Sequence, residues 1–162
     1  MNPSIEAFAH SVYNGDGPHD QYIRNESKVP YKEIISTEQI FNFYKDAPLD
    51  MQYLTDAERR YGMPNLWNSV YHERELYPLI HWRASDTKYT EEELLRWLQA
   101  TLRHVEGMFD LCKPDIYVDL MTVSLLRAVT RMVCVDRGVT WLIPWQTRYK
   151  NCACIIDNPR ED

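Results

Sequence analysis

The sequence predicts an α/β domain, a partial Rossmann-like three-layer arrangement with a parallel sheet and a helical N-terminal part. Three observations carry this. Glu91 to Cys112 places Leu94, Leu95, Leu98, Leu102, Val105, Phe109 and Cys112 at spacings of three and four, one apolar face of a long helix. Ile116-Tyr117-Val118-Asp119-Leu120 and Val139-Thr140-Trp141-Leu142-Ile143 read as strands that flank a second helix, from about Val123 to Arg137. A strand joined to the next by a helix in one tight unit implies a parallel pair with a right-handed crossover.

The remaining elements follow in chain order. Residues 1–30 hold Gly15, Gly17 and Pro18 among polar neighbours and show little periodicity, so they form an irregular lead-in to an α/β domain spanning residues 31–162. No opening strand is recognisable there. Lys32 to Ser36 is a short strand, and Thr37 caps a helix through Ile40, Phe41 and Tyr44 that ends before Pro48. A further helix begins near Thr55 and stops at Gly62-Met63-Pro64, after which Asn65 caps one carrying Leu66, Trp67, Val70 and Tyr71. Thr90-Glu91-Glu92-Glu93 is a capping-box pattern at the head of the long helix, and Lys113-Pro114 stops it. Gly138 closes the helix before the Val139 strand, and Ala153 to Ile156 forms one more short strand.

Composition narrows the class. With 44% hydrophobic and 26% charged residues the 162-residue chain can bury a core, and a net charge of -6 excludes a general nucleic-acid binder, which needs a basic face. No apolar run approaches the roughly 20 residues of a bilayer span, and the N-terminus lacks the basic start and apolar stretch of a secretory signal. No transmembrane segment and a cytoplasmic location are therefore expected. Cys112, Cys134, Cys152 and Cys154 sit among apolar neighbours without zinc-ligand spacing and read as small core residues; His72, His81 and His104 form no ligand pair. No metal site is expected, and without GxGxxG or GxxxxGK[ST] no dinucleotide or P-loop cofactor either. Trp67, Trp82, Trp97 and Tyr71 read as core or interface residues.

Ligands of open parallel sheets bind beyond the carboxyl ends of the strands, where helix N-termini present free N–H groups. Two loops meet that description. In Asp119 to Ser124, Thr122 or Ser124 can donate a hydroxyl to an anionic or hydroxyl-rich ligand, or Thr122 can simply cap the helix. Asp119 is the one carboxylate at a strand end beside a helix start, hence the candidate catalytic base; capping or pairing with a nearby arginine is its alternative role. The second loop holds Trp145, Gln146, Thr147, Arg148, Tyr149, Lys150 and Asn151. Its cations suit phosphoryl oxygens and its rings suit sugar faces, although a solvated loop has the same composition.

Tyr61 to Trp67 (YGMPNLW), Cys112 to Asp115 (CKPD), Asp136 to Val139 (DRGV), Arg148 to Asn151 (RYKN) and Ile156 to Pro159 (IDNP), in that order and spacing, resemble the N-terminal region of capsule and surface-polysaccharide biosynthesis proteins. Those proteins look like glycosyltransferases with two Rossmann domains, the GT-B type. The resemblance covers roughly residues 30–162 and implies the acceptor-side domain of such a unit, facing a nucleotide-sugar or oligosaccharide and completed by a second glycosyltransferase domain or subunit. It also implies that the chain alone does not catalyse transfer. A non-catalytic carbohydrate-binding or assembly module that keeps the fold is the alternative.

Overall fold

A computed structural model describes residues 6–11, 18–36, 40, 46–71, 89–119, 124–146 and 153–157. In chain order these are β1 (Ala7–Ser11), α1 (Pro18–Asn25), β2 (Tyr31–Ser36), α2 (Met51–Arg60), α3 (Trp67–Tyr71), α4 (Glu91–Cys112), β3 (Ile116–Val118), α5 (Leu125–Arg137), β4 (Thr140–Gln146) and β5 (Ala153–Asp157). The architecture is mixed α/β. The sheets are a parallel β1–β2 pair and a three-stranded β3-β4-β5 sheet.

β3 and β4 are adjacent and parallel, Ile116 opposite Thr140 and Val118 opposite Leu142, with α5 as the connection between them. β5 corrects the expected parallel sheet, because it runs antiparallel to β4, with Leu142 opposite Asp157 and Gln146 opposite Ala153. The cause is length: six residues, 147–152, join these strands, and a parallel return needs a dozen or more. β4 also extends through Pro144 to Gln146, past the expected end at Ile143. A proline fits there because β3 pairs only as far as Leu142, leaving that side of β4 without a described neighbour.

The lead-in is also corrected. Residues 7–11 and 18–25 are strand and helix, and β1 pairs with β2 from Ala7–Tyr31 to Ser11–Ser36. Ala-Phe-Ala-His-Ser carries one large apolar side chain, so pairing rather than hydrophobic alternation defines β1. The helix expected around Phe41 and Tyr44 lies outside the described residues, as do Trp82, His72 and His81.

Caps fix the helix ends. Asp50 accepts from Tyr53 N at 2.9 Å and starts α2 four residues before Thr55, whose hydroxyl donates to Met51 O inside the helix. Asn65 accepts from Trp67 N at 2.7 Å. Thr90 and Glu93 form the reciprocal capping box of α4, which ends at Lys113 in a left-handed conformation (φ 44°) before Pro114. Ser124, not Thr122, caps α5, and Gly138 (φ 65°) closes it with its N–H on Cys134 O and Val135 O.

α4 carries the core: Leu98, Leu102, Val105 and Phe109 are buried against Leu125, Val129 and Val133 of α5 and Trp141 and Ile143 of β4. Two polar ties anchor α2 to α4. Buried Gln99 donates to Pro48 O and accepts from Asp50 N, while Glu106 accepts from the hydroxyls of Tyr53 (2.7 Å) and Tyr61 (2.6 Å) and pairs with Arg60 (3.2 Å). Burial and the adjacent Glu106 push both phenols above the ordinary tyrosine value. On the β3-β4-β5 sheet the core face presents Tyr117, Trp141 and Ile143, whereas Ile116, Val118 and Ile155 on the other face are exposed. The expected third layer is therefore not formed over these residues. Among the described residues no helix is long and apolar enough to cross a membrane.

Candidate functional site

The carboxyl end of β3 brings two sequence candidates, Asp119 and Ser124, together at the start of α5. Asp119 follows β3 directly, and its backbone N–H donates to Leu142 O at 2.9 Å, continuing the ladder by one residue. That bond fixes where the carboxylate sits. Arg127 lies on the first turn of α5, and its Nε is 3.4 Å from Asp119 Oδ2, with the two side chains 18% and 15% exposed. Ser124 Oγ accepts from Arg127 N at 3.3 Å, so cap, guanidinium and carboxylate form one connected set.

Trp141 completes the set from β4. The guanidinium carbons of Arg127 and Arg131 lie 5.1 Å and 5.5 Å from its ring centroid, a separation of one helical turn along α5 placing both cations over one indole. Trp141 is buried, and its Nε1 has no hydrogen-bond partner among the described residues. A buried donor without an acceptor costs on the order of 1–3 kcal/mol and calls for an explanation. The arrangement can receive an anionic or polyhydroxylated group: guanidinium forks for oxygens and a helix start for residual negative charge.

Nearby titratable groups register Asp119. Burial first, then the Asp119 charge, pushes the Tyr117 hydroxyl above its ordinary value and the Cys134 thiol up to about 12. Cys134 is therefore a core thiol, in line with its sequence reading, and Cys112 is half-buried with its thiol raised, mainly by burial. Cys154 departs from that reading, since it is exposed on β5. Among the described residues no group of three His, Cys, Asp or Glu side chains is placed to hold a metal ion.

Of the sequence candidates, Asp119 and Ser124 are joined through Arg127. Gln146 is the last residue of β4, roughly 13 Å beyond Leu142 at strand rise, and belongs to the ladder opposite Ala153 rather than to a loop. Thr122, Thr147, Arg148, Lys150 and Asn151 lie outside the described residues. Arg127, Arg131 and Trp141 were not singled out from the sequence; the usable signal was two arginines four apart on the helix that follows a candidate strand end. Comparison with protein-family models, with curated proteins and with solved structures returned no match.

Proposed function

We propose that this chain is a saccharide-facing, Rossmann-like domain of glycosyltransferase-like type, the acceptor-side part of a unit that builds surface or capsular polysaccharide. The observation that carries the reading is the cluster at the carboxyl end of β3, where Asp119 meets Arg127 and, with Arg131 one turn on, α5 packs on Trp141 near the start of β4. Strand ends of that kind are where open α/β sheets receive ligands. Guanidinium groups beside a helix start match what a sugar with an anionic substituent requires, paired donors for its charge and its oxygens. In this role Arg127, Arg131 and Trp141 join Ser124 as binding residues, with Thr122, Gln146, Thr147, Arg148, Lys150 and Asn151 as further contacts. A nucleotide-sugar or oligosaccharide is the ligand, and a second domain or subunit supplies the other wall of the cleft.

Asp119 as base would take the acceptor hydroxyl proton, and for that it has to leave Arg127. The ion pair therefore favours a second reading, a non-catalytic carbohydrate-binding or assembly module in which Asp119 only orients Arg127. Titration calorimetry with a nucleotide-sugar and with an acidic oligosaccharide tests binding, and transfer assays with and without a partner domain separate the two readings. Binding weakened at least tenfold by Arg127→Met supports the site. Unchanged affinity removes it. Robust transfer by the isolated 162-residue chain contradicts the half-unit reading.

A further inference from the structure

Two histidines from distant parts of the chain meet inside the fold. His10 on β1 and His104 on α4 place their Nε2 atoms 3.3 Å apart, with ring centroids 5.4 Å apart and planes inclined by 26°. The other nitrogen of His10, Nδ1, is 3.1 Å from the Tyr117 hydroxyl of β3, and Tyr117 stacks on Phe109 of α4 at 5.9 Å. A chain of hydrogen bonds thus runs from β3 through β1 to α4. It links the β1–β2 sheet to the β3-β4-β5 sheet, alongside Ile35 of β2, which packs on the core.

We propose that the His10–His104 pair is an acid-sensitive latch that docks the β1–α1–β2 unit onto α4 and β3 when both rings are neutral and releases it when they are protonated. The chemistry is one of proton count. With one proton per ring, Tyr117 donates to His10 Nδ1 and His10 Nε2–H donates to His104 Nε2, or both bonds run in reverse. One added proton leaves a cation with little solvent around it, and a second sets N–H against N–H across 3.3 Å.

The described residues around the pair favour the neutral rings. Burial, and for His10 the charge of His104, are what act on the rings, and both shifts are downward, His10 to about 4. The titratable groups nearby are Tyr117, with Asp119 and Cys134 acting on it, and Cys112 with Lys32 and Glu33 where α4 meets β2. Among the described residues no carboxylate acts on either ring. Two nitrogens without a third ligand among the described residues are too few for a structural metal.

A histidine whose pKa is lowered in place contributes stability that is present above its ordinary 6.5 and is lost as pH falls toward 4. With His10 at those two values, the released population at pH 5 is roughly thirtyfold its neutral-pH value. Hydrogen exchange of the full chain, corrected for intrinsic rate, tests this at pH 7.5 and 5. Protection of residues 7–11 and 31–36 should fall about thirtyfold while that of residues 98–109 in α4 holds. His10→Gln, which keeps an amide toward His104 Nε2 without titrating in this range, should flatten the effect at least threefold.

A change below threefold in the wild type, equal loss in α4, or full pH dependence in His10→Gln overturns the latch. Should the variant fail to fold, imidazole NMR of the wild type decides the matter. His10 still neutral at pH 5.5 supports the latch, and an ordinary histidine titration overturns it.

Discussion

Replacing Asp119 by Asn separates a positioning carboxylate from a catalytic one. The ion pair with Arg127 spans 3.4 Å with both side chains more than four-fifths buried, so it lies between two limits. Exposed pairs contribute about 0–1 kcal/mol, and breaking one side of a fully buried pair costs about 3–5 kcal/mol. The separation is long for N–H···O, and Arg127 keeps its place over the Trp141 ring at 5.1 Å after the change. The expected loss is therefore about 1–2 kcal/mol, read as a lower urea midpoint at constant slope. A double-mutant cycle with Arg127→Met should return a coupling of about 1 kcal/mol. The Tyr117 and Cys134 pKa values should both move down, since one of the charges that raises them is gone. Saccharide affinity should fall less than threefold in Asp119→Asn and at least tenfold in Arg127→Met. Stability within about 0.5 kcal/mol of wild type refutes the ion-pair argument. Loss of transfer by the reconstituted two-domain unit at unchanged stability makes Asp119 the base.

Three further outcomes follow from other sites. Glu106→Gln trades two charge-assisted bonds from Tyr53 and Tyr61 for neutral ones and should cost about 2 kcal/mol in urea unfolding; a loss below about 0.5 kcal/mol would show that the phenols rebond without cost. Thr90→Ala removes the acceptor of the capping box and should cost about 1 kcal/mol, with hydrogen exchange faster in the first turn of α4 and unchanged near Phe109. Arg148→Ala should weaken saccharide binding by about 1.5–3 kcal/mol at unchanged stability, and Arg148→Lys should recover part of it, because an ammonium lacks the planar fork. Calorimetry that finds Arg148→Ala equal to wild type removes that residue from the site.

What the sequence made legible was local. α4 was readable in full because its periodicity and capping box agree, and the β3–α5–β4 unit was readable because Pro114 and Gly138 punctuate it. β1 was not, since Ala7, Ala9 and Ser11 alternate with single larger residues and nothing in the segment signals burial; its definition comes from β2, twenty residues on. The direction of β5 was legible and overlooked, because six connecting residues suffice for a hairpin and not for a crossover. At the site, a partner for Asp119 among the arginines was expected, but its identity depends on helix phase. Ser124 as cap puts Arg127 in the first turn beside the carboxylate; a cap at Thr122 would have rotated it away. Trp141 under two arginines, and His10 against His104, are contacts between residues far apart in the chain or on different elements, and no local pattern encodes them.

The central claim is that the carboxyl end of β3, beside the start of α5, receives a saccharide, and the indole N–H of the adjacent Trp141 reports on it directly. Its Nε1 has no acceptor among the described residues, so its proton resonance should move when a ligand oxygen takes that place or when the arginines over the ring rearrange. Titrating isotopically labelled full-length chain with an acidic oligosaccharide, and separately with a nucleotide-sugar, should shift the Trp141 indole signal together with the amides of Asp119, Ser124, Arg127 and Arg131, saturably and with one dissociation constant for either ligand that binds. An unmoved Trp141 indole at millimolar concentrations of both, or shifts confined to other elements, would contradict the account.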